Sequence, residues 1–424
     1  MKFIDRLIRT LLIIMVIISI FLSIQTWLDI GSYPLLNKEV TSKNNTQTEL
    51  QKRKRQTLFL PTNLYLRDNQ TIKIASQETN LKQVVKEIAQ VNYSVSLQTT
   101  KKTRDDLLQQ QNAANSLDLE YLSPMNLNDF LSLYKLNIQG TKPQNFMFNH
   151  LVINAASGEL TFFNTDNNKL CLLSADKEFL AMYKDLLTKT TNNIQLNKDD
   201  KEFSYNVKDD LELPKYRYAI TTPSYTVFTK AFFETTGELT SKDNLDNLVF
   251  ADSDDNTLQL NSSDGTIDFS HKLAKNAPRS EINKLAVNKI QKLGNEAGDL
   301  RYFMTLDKTS IYKNYIEGLP IFGNYYHGEV QTIQENNRLK ILLNQEIAQV
   351  PLPTDEKVQL LSTTHVDDKL REKELDLSKI TKRQIGYHWK TLDKNTVLFE
   401  PTWYLLYENT WYSLDDLLTL DKGE

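Results

Sequence analysis

A histidine beside carboxylates is where acid–base or metal chemistry would begin, and the chain holds one such run, His365-Val366-Asp367-Asp368. Metal sites recruit several ligands of this kind, and no second histidine lies nearby in sequence, so a solvated turn is expected. Asp252, Asp254 and Asn256 imitate the start of a calcium loop. Thr257 replaces the glycine that the sharp turn needs, and Ser263 stands where the bidentate glutamate belongs. A plain hairpin turn is expected there too. Cys171, in KLCLLS, alternates with apolar residues and reads as a small buried hydrophobe. The chain has no GxxxxGK[ST] loop, no GxSxG elbow and no HExxH pair. No catalytic residue, cofactor or metal is assigned, and the chain is expected not to be an enzyme.

Two patterns point to contact rather than catalysis. Ser19, Ser23 and Thr26 fall at i, i+4 and i+7, on one helix face that Leu12, Met15 and Val16 continue. Small hydroxyl residues at that spacing let a second helix approach closely and bond across to it. The same serines can instead bond back to their own carbonyls. The second pattern is EGLPIFGNYYHG, residues 317–328, with Gly318, Gly323 and Gly328 around Pro320. Such glycine density serves tight turns or close backbone approach, and a strand–turn–strand corner is expected over a ligand loop.

The serine face lies in an uncharged run from Thr10 to Leu28, about 28 Å at helical rise, close to a hydrocarbon core. Lys2, Arg6 and Arg9 precede it and Trp27 sits near its far end, which orients the N-terminus to the cytoplasm. The run is long for a signal peptide and no A-x-A-like cleavage site follows, so a retained anchor is expected. The divisions expected are 1–9 cytoplasmic, 10–28 transmembrane helix, 29–56 linker, 57–140 and 141–274 as two exterior domains, and 275–424 as a third. The linker ends in QKRKR at 51–55, which reads either as solvated chain or as a contact for anionic headgroups or wall polymers.

Periodicity supplies the rest. Leu81, Val84, Val85, Ile88 and Val91 mark a helix, as do Ile282, Leu285, Ala286, Ile290 and Leu293. Alternating strands dominate elsewhere, with Ala156-Ser157-Gly158 and Asp264-Gly265 as turns and a short helix expected at 355–361. The fold class is α+β, a spanning helix followed by about three mixed exterior domains. Of 424 residues, 40% are hydrophobic and 25% charged, which is globular rather than disordered. A net charge of -4 argues against nucleic acid as a partner, and a single cysteine excludes an internal disulfide.

With these landmarks in order, the chain resembles a known family. The basic N-terminus, the span closing on Ser23, Thr26 and Trp27, FFETTGELTSKDNLD (232–246), IYKNYIEGLPIFG (311–323) and LFEPTWYLLYENTWYSL (398–414) are similar to the YycH regulatory proteins of Gram-positive Firmicutes. The resemblance implies a cell-membrane protein that acts with a YycI-like anchored partner on the YycG/WalK-like sensor histidine kinase of cell-wall metabolism. It implies contact between transmembrane helices, exterior domains without catalytic residues, and a C-terminal domain resembling YycI. The alternative is an anchored exterior module that binds a cell-wall fragment or peptide. Its support is the aromatic content of the C-terminal third, including Tyr325, Tyr326, Trp389, Trp403 and Trp411.

Overall fold

In the computed structural model the first regular element among the described residues is a single helical turn, Arg55–Leu58, and two large sheets follow it. The structure describes residues 52–68, 71–190, 194–198, 202–236, 238–244, 247–294 and 298–420. All of them belong to one compact unit, Leu50–Glu424. The expected span, 10–28, lies outside the described residues.

The first sheet has ten strands. Named by first residue, their order is 205, 195, 71, 63, 116, 147, 159, 169, 92, 137. Its strands carry leucine and phenylalanine at alternate positions, and one face gathers Leu64, Leu66, Leu117, Leu119, Leu151 and Phe162 into the largest core. The helix Glu78–Ile88 covers that core with Leu81, Val84, Val85 and Ile88, the i, i+3, i+4, i+7 set read from sequence.

The second sheet has fourteen strands, twelve of them on the path 240, 247, 257, 266, 338, 329, 309, 319, 380, 396, 216, 347 and two branching from it. Thr266–Lys272 pairs with Arg338–Asn344 over seven residues, and Tyr216–Thr221 lies between Thr396–Tyr407 and Ile347–Leu352. The expected divisions at 140/141 and 274/275 therefore fall inside continuous sheets. Strand edges satisfy their backbone groups with whatever strand is adjacent, and here the adjacent strand is often more than a hundred residues away.

Three local expectations change. Residues Lys357–Leu360 form a strand, not a helix, because they pair with Leu211–Pro214. The helix begins at Thr363 after Ser362, whose hydroxyl accepts the His365 amide. Ser280, a residue type that caps helices and stands just before Ile282, lies inside the helix Arg279–Lys292, which follows Pro278 and has no side-chain cap. At the linker's end, Arg53 is buried. Its guanidinium donates to the Gly298 carbonyl and lies 3.6 Å from Asp299 and 3.7 Å from Glu78. Its backbone exchanges bonds with Gln291. Part of the basic cluster thus belongs to the folded body rather than to a solvated linker.

Candidate functional site

Side chains alternate across a strand, so the first sheet has a second face opposite its leucine core. Four neighbouring strands place polar or aromatic residues there. Asn63 pairs with Glu120 and Tyr65 with Asp118; Glu120 in turn faces His150, which faces Phe163. The result is a polar stripe running across the sheet.

At its centre, the His150 Nδ1 lies 3.0 and 3.1 Å from the two Asp118 oxygens. Asp118 Oδ2 also accepts from Gln111 Nε2 at 2.8 Å and from the Tyr205 hydroxyl at 2.7 Å. Burial alone would push the Asp118 carboxyl up, but the charge and bond of His150, with these two donors, outweigh it and hold it below its ordinary value. Burial likewise opposes the imidazolium, and Asp118 more than compensates, raising His150 above its ordinary value. An ionised Asp118 makes Nδ1 the donor. The imidazole stacks on Phe163, centroids 5.0 Å apart and planes within 5°.

Beside this pair, Glu120 Oε2 accepts from Asn63 Nδ2 at 2.8 Å and from the Tyr65 hydroxyl at 3.0 Å. Asn63 exchanges amide bonds with Gln384, 321 residues later. The stripe faces a cavity of about 710 Å³ whose opposite wall comes from residues 363–383. There Arg383 pairs with Asp367 at 2.8 Å.

The residues singled out by sequence lie elsewhere or do other work. Leu12, Met15, Val16, Ser19, Ser23 and Thr26 are outside the described residues. Among the described residues no helix is long and apolar enough to cross a membrane, and no cluster of three or more His, Cys, Asp or Glu is arranged for a metal ion. His365 sits in the first turn of a helix, not a solvated turn, with Nδ1 2.7 Å from Asp210. Asp252 closes a hairpin turn by accepting the Asp254 and Asn256 amides. Cys171 is fully buried, and burial pushes its thiol up to about 11.

The 317–328 segment is a corner with a tight seam. Gly318 has φ +83°, and a Cβ there would lie 2.6 Å from Gln77 N and from the Ser76 carbonyl carbon. Trp389 and Trp403 are core residues: the first stacks on His327 and the second donates Nε1 to the Leu361 carbonyl at 2.8 Å. Tyr325, by contrast, is 61% exposed. The stripe itself was missed because its signal is distributed. A charged residue within an apolar alternation, as in SLDLEYL and FMFNHLVINA, marks each strand, but only the register places the strands side by side.

Among solved structures, YycH from Bacillus subtilis shares the fold with a TM-score of 0.66 at 13% identity, covering 86% of this chain and 98% of that one. An uncharacterized protein from Eubacterium rectale, at 11% identity, covers 51% of this chain and 80% of its own with a TM-score of only 0.31. No curated protein matches. Residues 200–422 match the family described as YycH protein, C-terminal domain. That match takes in the whole second sheet and more than half of the sequence, and by it the chain belongs to the YycH family.

Proposed function

We propose that this YycH-type regulator is a non-catalytic, single-pass cell-membrane protein with its N-terminus in the cytoplasm and its bulk outside. It acts with a YycI-like partner on a YycG/WalK-like sensor histidine kinase. Family membership carries the reading, and the apolar run at 10–28 supports it. A partner biases a two-state kinase only as far as it binds one state better. Interhelical hydrogen bonds are worth about 0.6–2 kcal/mol, a several-fold shift that suits tuning rather than absolute switching.

The test is Ser19→Leu with Ser23→Leu, against Ile14→Leu with Ile18→Leu as control, at equal membrane abundance. Partner co-purification and transcription of the kinase's targets should fall several-fold in the serine variant and hold in the control. Equal capture by both would remove the serine face as the interface. Replacing the whole span with an unrelated one separates the readings: a mere tether survives the exchange, and a helix-contact regulator does not.

A further inference from the structure

The cavity over the polar stripe has the size of a ligand site, within the ~300–1,000 Å³ usual for such sites. Its lining is unusual for one. Small-molecule pockets are mostly apolar with a few placed polar groups, whereas most of the side chains lining this one are polar, with Leu122, Phe203, Val207, Leu377 and Ile380 among them.

Among the described residues that line it, the charges cancel. Glu120, Glu202 and Asp367 stand against Lys208, Lys382 and Arg383, and the buried Asp118–His150 pair is neutral as a whole. That balance favours neither an anion nor a cation. Between the charges lie groups that both donate and accept: Asn149, Thr165, Asn206, Thr363, Thr364 and Thr381. Amides and hydroxyls of this kind match a ligand whose own groups do both, which is the property of sugar hydroxyls.

The floor is also set in advance. His150 is fixed by Asp118 and by its stack on Phe163, which leaves Nε2 as the nitrogen for a ligand hydroxyl. Tyr205, its ring tilted 32° to that of Tyr65 with centroids 4.0 Å apart, is fixed by its own bond to Asp118 and adds an aromatic surface to the wall. Fixed donors lower the ordering cost of binding.

We infer that this cavity binds an uncharged, hydroxyl-rich ligand, a short oligosaccharide, held between the polar stripe of the first sheet and residues 363–383. The inference stands on the folded body alone and does not need the kinase reading.

Calorimetric titration of the full chain in lipid nanodiscs tests it, with chitotriose and maltotriose as uncharged probes and trialanine and inorganic phosphate as charged ones. At least one trisaccharide should bind. Thr364→Trp, at an exposed position on the cavity wall, should weaken that binding at least tenfold without moving the melting temperature. Raising the salt concentration should change it less than twofold, because the ligand carries no charge to screen. The proposal is overturned if neither trisaccharide binds, or if Thr364→Trp binds as well as the parent. It is equally overturned if phosphate or trialanine is the probe that binds and raising the salt concentration abolishes it, which would make the site one for charged ligands.

Discussion

Gly318 joins the two sheets by backbone approach, and replacing it with alanine gives a stability change whose parts can be separated. Its φ of +83° is the left-handed region, where a side chain costs about 1–2 kcal/mol. The new Cβ would also lie 2.6 Å from two backbone atoms of Ser76–Gln77 and 2.9 Å from the Ser76 oxygen. Those atoms are not free to retreat. The Ser76 oxygen accepts from buried Arg301 at 2.9 Å, and the Gln77 side chain donates to Glu317 at 2.7 Å. Overpacking of this kind costs about 1–3 kcal/mol, for about 2–5 kcal/mol in all. Gly140→Ala is the matched control, with φ +74° and nothing within 4 Å of its Cβ. It carries the backbone strain and the same gain from a stiffer unfolded chain, without the contact. The difference between the two variants, about 1–3 kcal/mol, therefore isolates the seam. Urea denaturation of the full chain should show it as a lower midpoint for Gly318→Ala. Amide exchange at residues 76–77 should accelerate about tenfold per 1.4 kcal/mol in that variant only. Equal midpoints for the two alanines, with unchanged exchange at the seam, would refute the close-approach argument.

Three further outcomes follow from buried charge and strand pairing. His150 has a raised folded value, so its contribution is full below the ordinary imidazole value of about 6.5 and fades as pH rises through the folded one; Asp118 has a lowered value, so its contribution is full above about 3.9 and fades on acidification. Glu120 reinforces and Lys382 opposes the histidine charge. The stability gap between the parent and His150→Gln should be widest between about pH 4 and 6.5, and a gap flat from acid to alkaline pH would contradict the ion pair. Lys289 is buried with its ammonium bonded to the Phe232 carbonyl, and burial, then Lys292, lowers its pKa. Lys289→Met should abolish a rise in parent stability as pH climbs toward about 10.4; a rise of equal size in the variant, read by urea denaturation across that range, would contradict this. A 280–424 fragment lacks one flanking strand of Arg338–Asn344 (Thr266–Lys272) and one of Thr396–Tyr407 (Tyr216–Thr221), so it should melt without cooperativity and bind hydrophobic dyes. A 205–424 fragment should regain a sharp transition.

What the sequence made legible was whatever one stretch of chain decides for itself. The helix Glu78–Ile88 could be read from four apolar positions because a single face must be covered. The turn at Asp264-Gly265 was readable because its φ of +71° favours glycine. What stayed hidden depends on partners far along the chain. KVQL, residues 357–360, became a strand because Leu211–Pro214 lies beside it. Arg53 belonged to a polar, lysine-rich stretch, and nothing local announced the carbonyl and carboxylates waiting near 298–299 and 78. The stripe is the clearest case. Asn63, Asp118, Glu120 and His150 each sit in a readable strand, and a shift of one residue in any pairing would scatter them onto both faces.

The contacts that sequence could not supply share one consequence for how the body behaves. Gly318 meets Ser76 and Gln77, Arg301 bonds Ser76, Asn63 exchanges bonds with Gln384, and Arg53 lies between Glu78 and Asp299. Each ties the first sheet's part of the chain to the second's through groups that are buried or sterically fixed. Bonds of this type are costly to leave unmade, so parting the sheets would strand several of them together. Arg53, the first buried residue among those described, takes part in that joint from both sides. The stripe belongs to the first sheet's part of the chain and the cavity wall at 363–383 to the second's, so the contacts that join the sheets also hold the two walls of the cavity in register.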